Sequence, residues 1–115
     1  MPRDPRAYLA DIMAACGAIQ EATAPLNLEL YQKNRLVRSS VEREFITIGE
    51  ALSALSRADA ELFSRITHAR RIVDFRNQLT HAYPSIDDAL VWAIVSRDVE
   101  PLRSACEALL RNLEA

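Results

Sequence analysis

Only two glycines, Gly17 and Gly49, occur among 115 residues. The tight reversals of β-sandwiches and barrels draw on glycine's freedom at positive φ, so an all-β architecture is poorly served by this chain. The abundant residues are alanine, leucine, arginine and glutamate, which lose little on entering a helix. Half the chain is apolar, and a domain of this size can bury about two-thirds of the surface its unfolded form exposes. The expected architecture is one domain over residues 1–115, an all-α antiparallel bundle of four to five helices.

The helices are punctuated by caps and prolines. Asp4 before Pro5 reads as an N-cap with proline at the first helical position. Tyr8, Leu9, Ile12, Ala15, Cys16 and Ile19 then recur at helical spacing until Pro25. A short helical piece carries Leu26, Leu30 and Tyr31. Ser39 with Glu42 has the pattern of a capping box for a third helix through Val41, Phe45, Ile48, Leu52 and Leu55. Gly49 inside that helix costs about 1 kcal/mol relative to alanine, which points to close approach by another backbone. Asp59 caps a fourth helix running through Leu62, Phe63, Ile66, Ile72, Val73 and Leu79 to Pro84. Ser85 with Asp88 is a second capping box, opening a last helix that Pro101 kinks or divides.

Several function classes are excluded. No phosphate-loop, dinucleotide-binding or nucleophile-elbow motif occurs. Neither His68 nor His81 follows a glutamate at the spacing of a bundle di-iron site, so no metal is expected. Carboxylates such as Glu42, Glu44 and Glu50 read as a solvated face. Cys16 and Cys106 lack metal-ligand spacing and read as small buried apolar side chains. With no apolar leader at the N-terminus, they fit a cytoplasmic location. The formal charge of −2 does not imply bulk attraction to nucleic acid. Arg65, Arg70, Arg71 and Arg76 are nevertheless concentrated ahead of an acidic C-terminal segment, a pattern that can place a local positive patch.

The chemically dense stretch is RNQLTHAY, residues 76–83. On a helix Asn77 and His81 share a face, while Arg76, Thr80 and Tyr83 line the next stripe. Arg76 and His81 are five residues apart and point about 140° away from each other. A second copy of the helix packed alongside would bring two such sets into one cleft. Histidine exchanges protons near neutral pH, and arginine can clamp a phosphate and stabilise a charged phosphorane. Asn77 and Thr80 can orient a ribose or phosphate oxygen. That kit suffices for metal-free RNA cleavage by the ribose 2′-oxygen. The same residues at a helix C-terminus also complement the helix dipole, and Tyr83 can cover a bundle end.

RNQLTHAY resembles the Arg-x4-His-x-Tyr motif of the HepT-like branch of the HEPN superfamily. DPRAYLADIMAACGAI (4–19), VEREFITIGEALSAL (41–55) and DDALVWAIVSRDVEPLRSACEALL (87–110) resemble its first, middle and last helices, so nearly the whole chain is covered. The resemblance departs at residues 57–75. Many relatives have a tryptophan and a short turn before the motif helix, and a glycine where Ala82 stands here.

The resemblance implies a small helical toxin that acts as a metal-independent endoribonuclease without a cofactor. It implies a homodimer in which motif residues of both protomers meet. By position, Arg76 and His81 would be the catalytic pair, with Asn77 and Thr80 positioning substrate and Arg65, Arg70 and Arg71 available to steer RNA. Tyr83 would be the residue to which a nucleotidyltransferase antitoxin of the MNT type attaches AMP. An alternative is a non-catalytic helical module that presents a substrate or nucleotide to a nucleotidyltransferase.

Overall fold

The computed structural model describes residues 3–81 and 86–115. Among these, six helices and no strand are found: α1 (Pro5–Thr23), α2 (Leu28–Lys33), α3 (Arg35–Ala58), α4 (Ala60–Ser64), α5 (Ala69–His81) and α6 (Asp88–Glu114). None is long and apolar enough to cross a membrane. At 1.5 Å per residue α6 is about 40 Å long, which nearly matches the longest dimension of 43 Å, so it runs the length of the bundle.

α1 begins as the sequence predicts. Asp4 accepts a hydrogen bond from the Arg6 backbone N–H at 2.9 Å, with Pro5 filling the position where no donor is needed. Its buried residues Leu9, Ile12, Cys16 and Ile19 form one stripe, and α1 packs on both α3 and α6. α3 answers with Val41, Phe45, Ile48, Leu52 and Leu55, all fully buried. α6 closes the core with Val91, Ile94, Val99, Leu102 and Cys106. Cys16 and Cys106 are free thiols inside this core, and burial pushes each up to about 12. α2 contributes Tyr31, whose ring packs at a 42° tilt against Trp92 of α6 with ring centroids 5.2 Å apart.

Three boundaries differ from the sequence reading. α3 starts at Arg35 rather than after Ser39, because the extended backbone at Asn34 lets its side chain accept from the Val37 N–H at 3.0 Å. Ser39 lies a turn inside the helix and is exposed. α6 is capped by Asp87, whose carboxylate accepts from the Ala89 and Leu90 N–H groups. Ser85, the expected cap, lies outside the described residues, as does Pro84. α6 then passes through Pro101 without ending, its long apolar face offsetting the lost hydrogen bond.

The expected fourth helix is two. Asp59 caps only the five residues of α4, and the chain turns at residues 65–68, where His68 adopts φ 63°. Packing against α3 supplies the reason. Between Ile66 and Ile72 only Ala69 fills the buried stripe, so one straight helix would leave a thin rung there. The turn redirects α5 onto α3, where Phe75 meets Phe45 edge-on at 5.1 Å. The turn at residues 65–68 ahead of α5 is not expected from the sequence.

The position of the α3 cap is testable by urea denaturation. Asn34→Ala lowers stability by about 1 kcal/mol, whereas Ser39→Ala changes it by less than about 0.5 kcal/mol. The reverse order would restore Ser39 as the cap.

Candidate active site

The motif residues occupy the C-terminal two turns of α5. The helix buries Ile72, Val73, Phe75 and Leu79, which fixes its rotation. Asn77, Thr80 and His81 consequently fall on the solvent side and Arg76 at the edge that meets α3. Going around the axis at about 100° per residue, the order is Arg76, Thr80, Asn77, His81. They form an arc across one exposed face, with the two charged-type groups at its ends.

Arg76 is held from beneath. A Cβ placed on Gly49 would sit 2.3 Å from the Arg76 Cβ and 2.4 Å from its Cγ, far inside van der Waals contact. The glycine of α3 is therefore the slot through which the arginine stem passes. The sequence reading expects another backbone at this glycine; the close approach is made instead by a side-chain stem. The guanidinium emerges beside Glu50, with Nη2 donating to Oε1 at 3.4 Å, and Nη1 donates to Asn77 Oδ1 at 2.9 Å. Its Nε is buried and has no partner among the described residues. The pairing with Glu50, itself well exposed, contributes about 0–1 kcal/mol, so the arginine can exchange that carboxylate for another anion.

Thr80 donates its hydroxyl to the Arg76 and Asn77 carbonyls at 3.3 and 3.1 Å. Its oxygen lone pairs remain available as acceptors. His81 is the last residue of α5, is exposed, and has no hydrogen-bond partner among the described residues. Tyr83 lies outside the described residues.

The three other arginines have separate local partners. Arg65 pairs with Glu61 one turn earlier at 3.0 Å. Arg70 stacks over the Phe63 ring at 5.2 Å. Arg71 donates to Asp98 of α6 at 2.6 Å. Arg97 also donates to Asp98, from Nε and Nη2, both at 3.0 Å. Asp98 is 7% exposed. Burial alone would raise its pKa, but hydrogen bonds from Arg97 and Arg71 and their charges hold it below the ordinary aspartate range.

Glu50 and the Asp98 pair were not singled out as partners by sequence reasoning. For Asp98 a signal existed: the acid falls on the buried stripe, four residues from both Ile94 and Leu102. A carboxylate there requires cations from a neighbouring helix. For Glu50 no signal existed, since its pairing depends on how α5 is turned.

The profile of the family described as ribonuclease HepT-like matches residues 12–109, and the chain belongs to that family. A protein of Methanocaldococcus jannaschii named as a candidate RNase is 31% identical over 105 residues, covering 91% of this chain and 95% of that protein. A protein of Thermococcus cleftensis named as a probable ribonuclease HepT is 29% identical over 109 residues, covering 95% and 98%. No solved structure gives a significant match.

Two outcomes test this geometry. Gly49→Ala forces Arg76 out of its slot and costs about 1–3 kcal/mol in urea denaturation, while Glu50→Ala costs under about 1 kcal/mol. Equal effects would show that the slot is not tight. Asp98 supplies the pH dependence. Its folded pKa is depressed, so its contribution is complete above the unfolded value of about 4 and is lost as pH falls below it. The urea midpoint of the wild type should drop as pH falls below about 4, and Asp98→Asn should flatten that drop.

Proposed function

We propose that the chain is a metal-independent endoribonuclease, the toxin of a toxin–antitoxin pair, with Arg76 and His81 as its catalytic pair. The observation that carries this is the arc on α5. Arg76, Thr80, Asn77 and His81 share one exposed face, and Arg76 is fixed in place by Gly49. Membership of a ribonuclease family supports RNA as the substrate.

Chemically, the ribose 2′-oxygen attacks the adjacent phosphorus and the bond to the 5′-oxygen breaks. The products are a 2′,3′-cyclic phosphate and a free 5′-hydroxyl. His81 takes the 2′ proton or delivers one to the leaving 5′-oxygen, and water supplies the complementary transfer. Arg76 exchanges Glu50 for the phosphate and stabilises the extra charge on the phosphorane. Asn77 and Thr80 hold ribose or phosphate oxygens.

Arg76 and His81 sit at opposite ends of the arc, about 140° apart, which favours a cleft assembled from two copies. In a homodimer with the α5 faces opposed, the arginine of one protomer meets the histidine of its partner across the scissile phosphate. Tyr83 follows His81 by two residues in the sequence. AMP attached there by a nucleotidyltransferase antitoxin adds charge and bulk that repel RNA. Arg65 and Arg70 steer the strand by charge. The protein acts in the cytoplasm, where RNA is available.

The test is incubation of purified protein with cellular RNA in EDTA. The wild type yields 2′,3′-cyclic phosphate ends, and a folded His81→Ala variant is slower by about 10²–10⁴-fold. RNA left intact by wild-type protein whose mass shows Tyr83 unmodified would replace this reading with a non-catalytic partner of a nucleotidyltransferase.

A further inference from the structure

α5 packs on α3 and leaves a cleft of about 570 Å³ between its N-terminal end and the middle of α6. The cleft is lined by Thr67 and His68 on one side and by Arg97, Asp98 and Pro101 on the other, with Arg71 reaching across to Asp98. Arg71 precedes Arg76 by five residues, which sets the two about 140° apart around α5 and about 7.5 Å apart along it.

The wall of this cleft is organised around one carboxylate. Asp98 Oδ1 accepts from Arg71 Nη2 and Arg97 Nε, and Oδ2 accepts from Arg97 Nη2. Two guanidinium groups that would otherwise repel each other are thereby tied together at the cleft, leaving the trio with one net positive charge. Each guanidinium has five N–H donors, of which Asp98 occupies one on Arg71 and two on Arg97. Their side chains are 40% and 57% exposed, so each guanidinium keeps terminal donors free for the cleft. The Arg71 Nε, by contrast, is buried and lacks a partner among the described residues.

The opposite wall adds to the same sign. His68 holds φ 63°, a left-handed conformation that costs a non-glycine residue about 1–2 kcal/mol. It turns the chain so that α5, thirteen residues long, starts at the cleft. The helix start brings partial positive charge to this wall, although the Ala69, Arg71 and Ile72 N–H groups already donate to the Ile66 and His68 carbonyls. Two forked cations, a histidine and a helix start, around a carboxylate already satisfied, suit an anion with several oxygens.

We propose that this cleft binds a phosphate group of the RNA strand, separate from the Arg76 and His81 site, with Arg71 and Arg97 donating to its oxygens. The proposal rests on RNA being the substrate, as proposed above. His81 lies ten residues beyond Arg71, about 15 Å along α5 and about 80° around it. A stacked strand rising about 3.4 Å per nucleotide covers that distance in about four nucleotides. The cleft therefore sets a minimum length for tight binding.

The test uses 2′-O-methyl RNA, which cannot be cleaved through its 2′-oxygen. Fluorescence anisotropy follows a labelled decamer, and NMR shifts follow a trinucleotide too short to reach both sites. Arg97→Gln, confirmed folded by circular dichroism, should weaken the decamer about 3- to 10-fold and lower the salt slope by about one. Trinucleotide binding at His81 should be unchanged. Arg97→Lys should restore the salt slope while recovering only part of the affinity.

A decamer that binds Arg97→Gln as tightly as wild type overturns the cleft site and leaves the ribonuclease reading intact. So does an equal loss for both ligands, which would place the effect on the fold. AMP displacing the decamer at lower concentration than the trinucleotide does would assign the cleft to free nucleotide and overturn the RNA assignment. Wild-type protein that binds no decamer removes RNA as the substrate and this proposal with it.

Discussion

The contact on which the rest depends is the passage of the Arg76 stem over Gly49. It brings α5 against α3 at a distance no other residue at position 49 allows. With that distance set, Phe45 and Phe75 meet edge to face, and Ile72 and Leu79 reach the core. The same contact aims the guanidinium along the surface and turns Asn77, Thr80 and His81 outward. Packing and site geometry are thus a single constraint. An arginine is suited to this place because its aliphatic stem can be buried while its charged end remains at the surface.

Electrostatics divides α5 into two halves. At its C-terminal end Arg76 is only loosely engaged by an exposed glutamate, and such a pairing is readily exchanged. At its N-terminal end Arg71 is bound to a carboxylate that burial has deprived of water. Removing a partner from a pair of that kind leaves an uncompensated charge, so the second arrangement is structural before it is anything else. The arginine that is easy to detach lies among the motif residues, and the one that is hard to detach anchors the helix to α6.

Much of this was legible in the sequence. The all-α class follows from composition and from stripes such as Val41, Phe45, Ile48, Leu52 and Leu55, because each large side chain reports the helix period directly. Gly49 announced a close approach. The motif stood out because its residue types are wasteful on an ordinary solvated face. Other features were hidden for physical reasons. Asn34 caps α3 through a backbone conformation set by α2, whereas Ser39 has the better local pattern. The break at His68 depends on where α3 lies in space. The partner of Arg71 is 27 residues away, and no local period encodes it.

Trp92 is the sole tryptophan, and it faces Tyr31 of α2. A six-residue helix has no stability in isolation, so α2 keeps its shape only while that tyrosine is seated against α6. The indole therefore serves as a built-in optical gauge of α2 docking. Its emission reports on the end of the bundle that α2 closes and is blind to rearrangements confined to Arg76 and His81. Intrinsic fluorescence and far-ultraviolet ellipticity of this protein need not change together, and any separation between them would locate the first part of the bundle to let go.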